Sequence, residues 1–207
     1  MTLSWFSIVR LGFVQMALGA IVVLTTSTLN RLMVVELALP AVLPGLLVAL
    51  HYGIQITRRS WGFLSDKGGN RTLFIIGGMS VLGAGAWLAA AAIPVFLTGF
   101  GAGLALSIFA YILIGLGVGA SGTSLLALLA TATAPRRRAA AATITWLMMV
   151  FGIAVTATTV GRFLDPYSVA LLLRIVGIVE HGAYAETILE IWREHNRVAA
   201  HPPTQQS

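Results

Sequence analysis

The stretch from Leu73 to Ile93 reads LFIIGGMSVLGAGAWLAAAAI and contains no charged side chain. A helix needs about 20 mainly apolar residues to cross the hydrocarbon core of a membrane. Pro94 follows and is expected to begin the next segment. Four further apolar runs have the length of a span: Leu11–Leu29, Leu37–Ile56, Leu97–Gly122 with an extension to Pro135, and Thr143–Val160. The sequence therefore predicts an all-α, polytopic bundle of five transmembrane helices.

A sixth helix is less clear from the sequence. Ser168–Val179 is apolar but short, and Arg174 interrupts it. This segment is either half of a sixth span or a segment at the membrane surface. From Glu180 onward, apolar residues recur at helical spacing among charged ones, which is typical of an amphipathic surface helix or of a frayed end. We expect a transmembrane domain over 1–179 and a polar, partly disordered tail over 180–207.

The composition agrees with a membrane protein. Apolar residues make up 57% of the chain and charged residues 10%, against about 25% charged in a typical soluble domain. The mean hydropathy is +0.90. The chain has no cysteine, which excludes disulfides, thiolate nucleophiles and cysteine-ligated metals. The first apolar run is too long for a signal peptide and has no cleavage site after it, so we expect it to be retained.

Basic residues indicate the orientation of the bundle. With the N-terminus in the cytoplasm, eight basic residues fall on inside segments and two on outside turns. The inside set is Arg10, Arg58, Arg59, Lys67, Arg71, Arg136, Arg137 and Arg138, and the outside set is Arg31 and Arg162. Because cytoplasmic loops carry the excess of lysine and arginine, this distribution predicts a cytoplasmic N-terminus.

The loop after the second run carries the most specific local motif. Trp61–Thr72 reads WGFLSDKGGNRT. Gly62 permits a close approach of helix ends, and Gly68 and Gly69 permit a tight turn. Asp66 and Arg71 are placed to pair with each other, with a helix end or with lipid phosphate. The pattern resembles the signature loop of the major facilitator superfamily, which in that family is cytoplasmic and joins the second and third helices.

A second group of motifs narrows the resemblance. Thr28–Arg31 reads TLNR, Leu50–Tyr52 reads LHY, and both accompany the Trp61-Gly62 and Ser65-Asp66 pairs. Together they resemble the PucC/LhaA family, the bacteriochlorophyll-delivery branch of that superfamily. The resemblance covers about residues 8–168 and is expected to end near Val169. It implies one half of a twelve-helix carrier, produced by a truncated gene or by a genuine half-length relative.

His51 is the candidate binding residue. An ionisable side chain within an apolar span is costly, and it is therefore a functional candidate. Gln55 lies one turn further on and shares its face. With the pigment that the resemblance implies, His51 is expected to ligate the magnesium of bacteriochlorophyll, and Gln55 to hold the imidazole or a pigment carbonyl. The alternative is a structural hydrogen bond from His51 to a neighbouring helix.

The sequence lacks the common catalytic motifs. It has no His-Glu-x-x-His, no P-loop lysine and no nucleophile elbow. Only three acidic residues precede position 180, so paired carboxylate catalysis is not expected. Basic faces interleaved with exposed aromatics are also missing, which argues against nucleic acid. The sequence predicts that the chain is not an enzyme.

The resemblance implies a function in assembly of the light-harvesting antenna. The chain would bind or deliver bacteriochlorophyll to antenna polypeptides in a bacterial cytoplasmic or photosynthetic membrane, with lipid and a second copy as further partners. The motif loop, with Gly62, Asp66, Gly68, Gly69 and Arg71, would act as a cytoplasmic latch. Two alternatives stay open: a half-unit secondary transporter for a small solute, and an inactive structural subunit.

Overall fold

A computed structural model of the chain describes residues 3–67, 71–164 and 167–200, without the side chains of 64–67, 186 and 190–200. Within these residues the chain forms helices joined by turns, and no strand. The helices are α1 (Trp5–Val23), α2 (Leu29–Val35), α3 (Val42–Ile54), α4 (Arg58–Lys67), α5 (Arg71–Thr98), α6 (Phe100–Ala132), α7 (Arg138–Phe163) and α8 (Val169–Ala200). The predicted all-α membrane bundle is confirmed.

The first pass is one continuous helix with a widened turn. Ser4 caps it, because its hydroxyl oxygen accepts from the Ser7 amide at 3.1 Å. Between α1 and α2, Leu24–Thr28 form a π-helical turn. The Tyr111 hydroxyl of α6 donates to the Thr25 carbonyl in this turn at 2.8 Å. Tyr111 is fully buried, so the widened turn is held from inside the bundle.

Several chain segments meet at one end of the bundle. The Leu3 amide donates to the Ala132 carbonyl at 2.8 Å, and the Arg71 guanidinium donates to the Ala127 carbonyl at 3.4 Å. The Arg137 guanidinium lies 5.2 Å from the centre of the Trp5 ring. The start of α1, the start of α5, the end of α6 and the start of α7 therefore share this end, which we call the basic end.

The opposite end carries the predicted outside arginines. The helical stretch Trp5–Val35 extends about 46 Å from the basic end, so Arg31 near its close lies at the far end. Arg162, in the last turn of α7, lies there too. Arg31 and Arg162 therefore lie at the end opposite Arg71 and Arg137. Which side of the membrane the basic end faces stays a prediction.

The second pass differs from the prediction. Among the described residues, four stretches are long and apolar enough to span a membrane: Trp5–Val35, Arg71–Thr98, Phe100–Ala132 and Pro135–Phe163. The expected span Leu37–Ile56 is not one of them, because α3 has 13 residues and extends about 20 Å. Pro40 lacks an amide hydrogen and precedes the start of α3, and Ala38 turns the backbone with φ 50°.

The chain nevertheless has to return to the basic end, where α5 begins. It does so through α3, a 3₁₀ turn over Gln55–Thr57 and α4. The second pass is therefore a broken helix, which is tolerated at membrane depth where it packs against protein. It packs chiefly against α6.

The third pass is longer than expected, because Pro94 lies inside α5 instead of beginning a new segment. Neighbouring helices can compensate for the backbone hydrogen bond that proline removes in a membrane helix. The helix ends at Thr98, and Gly99 is extended before α6. The predicted fourth span and its extension are one helix, α6.

The uncertain sixth segment is a packed helix. α8 runs without interruption through 180, the predicted domain boundary, and this boundary stays a prediction. Its side chains Leu172, Val176 and Ala183 belong to the main buried core together with residues of α1, α5 and α6. The segment 168–179 is therefore part of the bundle.

Candidate functional site

His51 is buried where α3 crosses α6. Its exposed fraction is 0%, and its ring meets the Tyr52 ring edge-on, with 4.8 Å between centroids. The two helices approach closely because Gly115 has no side chain. A Cβ at Gly115 would lie 2.9 Å from the His51 carbonyl oxygen and 2.9 Å from Ile54 Cβ. Glycine at this position therefore allows α3 and α6 to approach closely beside His51.

A chain of three polar side chains begins at His51. Gln55 Nε2 lies 2.8 Å from His51 Nε2, and the Arg58 guanidinium donates to Gln55 Oε1. Since arginine can only donate, it directs the amide oxygen of Gln55 toward itself and the amide nitrogen toward His51. His51 Nε2 must therefore accept the hydrogen bond, and the ring proton is assigned to Nδ1.

The other ring nitrogen of His51 has an unusual environment. Nδ1 is buried and has no hydrogen-bond partner among the described residues. A buried, unpaired donor costs about 1–3 kcal/mol. This nitrogen is therefore a candidate contact for an acceptor on a bound molecule.

The structure thus brings the predicted pair, His51 and Gln55, into contact and adds a third residue to it. His51 and Gln55 share a face as expected, and their partner is Arg58, which the sequence did not single out. The expected alternative, a bond from His51 to a neighbouring helix, is not what the described residues show. The tautomer of the imidazole is compatible with magnesium ligation. With the proton on Nδ1, Nε2 carries a lone pair that a metal ion can accept. The Gln55 amide now occupies that lone pair.

An apolar cleft lies next to this cluster, between α4, α5 and α6. Its volume is about 540 Å³, within the range of ligand pockets. Its lining is Trp61, Leu73, Phe74, Gly77, Gly78, Val81, Leu113, Leu116, Gly117 and Ala120. We refer to it as the α5–α6 cleft. The sequence did not predict it, because its residues come from three separate segments.

Trp61 forms the rim of the α5–α6 cleft. Its indole Nε1–H donates to Thr57 Oγ1 at 3.0 Å, and its ring lies 6.4 Å from the Phe74 ring. A Cβ at Gly119 would lie 3.3 Å from the indole, so this glycine sets how closely Trp61 approaches α6. Gly115 and Gly119 therefore allow the broken second pass to pack closely against α6.

The predicted motif loop is described only in part. Gly62 faces α6, and a Cβ there would lie 3.4 Å from Thr123 Cγ2. Arg71 reaches the end of α6, where its guanidinium also donates to the Thr131 hydroxyl. Gly68, Gly69 and the side chain of Asp66 lie outside the described residues. The proposed pairing of Asp66 with Arg71 therefore stays a prediction.

Sequence reasoning missed one polar group. Glu180 of α8 lines a cavity of about 270 Å³ together with Ser80 and His181. Its Oε1 is buried without a hydrogen-bond partner among the described residues. Glu180 had been assigned to the polar tail. Its place directly after an apolar run was the signal that could have indicated a carboxyl inside the bundle.

These features define the class: a multi-pass helical membrane protein with a buried polar cluster beside an apolar cleft. The family described as PUCC protein matches residues 28–207, and the chain belongs to that family. No solved structure matches the chain significantly.

A curated relative supports the family assignment. The protein named bacteriochlorophyll synthase 44.5 kDa chain, from Rhodobacter capsulatus, is 68% identical over 198 residues. The match covers 96% of this chain and 46% of the relative, so the chain spans about half the relative's length. The name of this relative refers to bacteriochlorophyll.

Two expectations are corrected by these comparisons. The similarity to the family was expected to end near Val169, but the family match continues to residue 207. The chain was also expected not to be an enzyme. That expectation is contradicted, because the relative is named as a chain of bacteriochlorophyll synthase. The absence of familiar soluble-enzyme motifs was not a sufficient reason for the exclusion.

Proposed function

We propose that the chain binds bacteriochlorophyll and passes it to antenna polypeptides while light-harvesting complexes assemble. The family and the name of the relative support the connection with this pigment. The observation that carries the proposal within the chain is the buried imidazole of His51, whose Nε2 is kept as an electron-pair donor by Gln55 and Arg58. Neutral imidazole with this tautomer is suited to a metal ion.

In this proposal each polar residue has a distinct role. His51 would hold the magnesium of the pigment through Nε2, and Gln55, whose amide now donates to that nitrogen, would release it. Arg58 keeps the Gln55 amide oriented before the pigment enters. The buried Nδ1–H of His51 would then point away from the magnesium, on the far side of the imidazole. Bound bacteriochlorophyll supplies the light-absorbing macrocycle that the antenna requires.

The proposal also includes the orientation of the chain in the membrane and its partners there. The basic end faces the cytoplasm, where Arg71 and Arg136–Arg138 contact anionic lipid headgroups. The motif loop from Gly62 to Arg71 acts there as a latch between the second pass and α5. The antenna polypeptides approach within the membrane, and a second copy of the chain supplies the remainder of a larger bundle.

The test is the absorption spectrum of the full chain purified from a host that makes bacteriochlorophyll. The wild-type protein is expected to carry pigment with a Mg-ligand-sensitive red band. His51→Leu is expected to lose most of it, whereas His181→Leu, an exposed histidine on α8, keeps the wild-type amount. Circular dichroism and gel filtration check that both variants fold.

Two results would contradict the proposal. A wild-type protein without pigment would refute binding, and equal pigment in His51→Leu would refute the ligand role. For delivery, pigment-loaded protein is mixed with pigment-free antenna polypeptides. The antenna absorption band is expected to appear faster than with free pigment, and an unchanged rate would exclude transfer.

A further inference from the structure

The cavity that Glu180 lines lies between α1, α5 and α8, near the middle of the membrane. Its polar side chains are Ser80 of α5 and Glu180, His181 and Tyr184 of α8, and the rest of its lining is apolar. Glu180 lies about 17 Å along α8 from its start, and Ser80 lies about 14 Å along α5 from its start. The two helices start at opposite ends of the bundle. In a hydrocarbon core about 30 Å thick, both residues therefore lie close to the midplane.

The carboxyl group of Glu180 has no compensating charge. Its Oε1 is buried without a hydrogen-bond partner, and no ion pair or hydrogen bond of this carboxyl group occurs among the described residues. Oε2 is therefore the oxygen left to face the cavity. A carboxylate removed from water is costly unless an opposite charge and hydrogen-bond donors compensate it. A carboxyl group at this depth is accordingly a candidate binding group.

The neighbouring polar side chains offer hydrogen-bond acceptors. His181 Nδ1 lies 2.7 Å from the Gly177 carbonyl oxygen, and since a carbonyl only accepts, Nδ1 carries the proton and the neutral ring keeps a lone pair on Nε2. The Ser80 hydroxyl donates to the Ile76 carbonyl at 3.0 Å, which leaves its oxygen able to accept. The Tyr184 hydroxyl can accept as well. The polar wall of the cavity is therefore complementary to a ligand that donates.

We propose that this cavity binds a primary ammonium ion carried on a compact apolar group. An ammonium group has three N–H donors and no acceptor, which matches the acceptors of the polar wall. Its positive charge compensates the carboxylate of Glu180, and hydrogen bonds between charged partners are the strong ones. The inference goes beyond the proposed function and does not depend on it, because His51 does not line this cavity.

The apolar wall limits the remainder of the ligand. Ile21, Met79 and Ala84 offer it no hydrogen bond from their side chains. A Cβ at Gly83 would have no neighbour within 4 Å, so glycine leaves open space on this wall. The cavity volume of about 270 Å³ is just below the range of about 300–1,000 Å³ for drug-sized ligands. The ligand therefore carries a small hydrocarbon body, such as a single ring.

The test uses three probes that share a cyclohexyl ring: cyclohexylammonium, N,N,N-trimethylcyclohexylammonium and cyclohexanol. Each is titrated at neutral pH into the full chain in uncharged maltoside micelles. The heat of binding is the readout, and micelles without protein give the baseline. Cyclohexylammonium is expected to bind at least about tenfold more tightly than the other two probes, because it alone combines a positive charge with N–H donors.

Two variants locate the binding site. Glu180→Gln keeps the size of the side chain and removes its charge, and it is expected to weaken cyclohexylammonium binding about tenfold or more while cyclohexanol binding stays the same. Gly83→Leu fills the cavity and is expected to weaken all three probes. The matched control is Glu36→Gln, because Glu36 is exposed after α2 and does not line the cavity. Circular dichroism and gel filtration verify that each variant folds.

The outcomes decide the proposal without reference to pigment. It is overturned if the wild type does not bind cyclohexylammonium, or if Glu180→Gln binds it as tightly as the wild type. Equal binding of cyclohexanol would mean a purely apolar pocket, and equal binding of the trimethyl probe would exclude the N–H contacts; either result overturns the assignment to a primary ammonium ion. Amine binding by a chain that carries no pigment would support this site while refuting the proposed function.

Discussion

Gly77 and Gly78 are consecutive residues of α5, and alanine is expected to have opposite effects at the two positions. At Gly78 the new Cβ would lie 2.5 Å from the Ser121 amide nitrogen, nearly 1 Å inside the 3.4 Å at which ordinary contact begins. The obstructing atom is backbone, so α5 and α6 must separate. Overpacking of this kind costs about 1–3 kcal/mol. At Gly77 the Cβ meets nothing, and alanine stabilises a helix by about 0.5–1 kcal/mol relative to glycine.

The two variants are therefore expected to differ by about 1.5–4 kcal/mol in the free energy of unfolding. This quantity is measured by titrating the protein in mixed micelles with SDS and following far-ultraviolet circular dichroism. Gly85→Ala is expected to lie between them, because its Cβ would come 2.9 Å from the Ile114 amide nitrogen. Equal stability of Gly77→Ala and Gly78→Ala would refute the direct backbone contact between α5 and α6.

Two further predictions concern tyrosines. Tyr111→Phe removes the buried hydrogen bond to the Thr25 carbonyl and is expected to lower the free energy of unfolding by about 1–2 kcal/mol. Tyr52→Phe, at an exposed position, is expected to change it little in the same SDS titration. Equal effects of the two variants would contradict a structural role for the bond. Burial, and then the charge of Glu36, raise the pKa of Tyr167 above its ordinary value of 10.0. Because the folded protein then holds the Tyr167 proton more tightly than the unfolded chain, stability is expected to fall as the pH rises above about 10. Glu36→Gln is expected to lower the Tyr167 pKa, followed by tyrosinate absorbance; an unchanged titration would exclude the electrostatic contribution.

The fold was predictable from sequence in those segments where the apolar membrane environment alone requires a helix. The runs beginning at Leu11, Leu73 and Thr143 all fall within helices of the bundle, because backbone groups in hydrocarbon must be satisfied within the helix. Pro94 was misread as a boundary, since rules from water-soluble helices overestimate what one proline does in a packed membrane helix. The broken second pass was not predicted either, because its hydropathy is continuous from Leu37 to Ile56.

The candidate site was predictable only in its local part. Four-residue spacing places His51 and Gln55 on one helical face, and the hydrogen bond between them follows from that spacing. Arg58 contacts Gln55 at a spacing of three residues, which also brings side chains together on a helix, but the sequence analysis used Arg58 only for the orientation of the bundle. The α5–α6 cleft depends on which glycines face each other across two helices, and that arrangement arises only from tertiary packing.

The π-helical turn at Leu24–Thr28 divides the first pass into two halves, and it changes the angular position of the side chains in the second half relative to the first. Leu24 and Leu29 are both fully buried although they are five residues apart, a separation that would place them about 140° apart on a regular α-helix. One additional residue in the turn resets the angular register. The outer half, including Leu32 and Met33, can therefore direct its apolar side chains into the core without constraining the inner half. A single-residue deletion here would rotate every side chain beyond it, which makes the length of this turn as important as its composition.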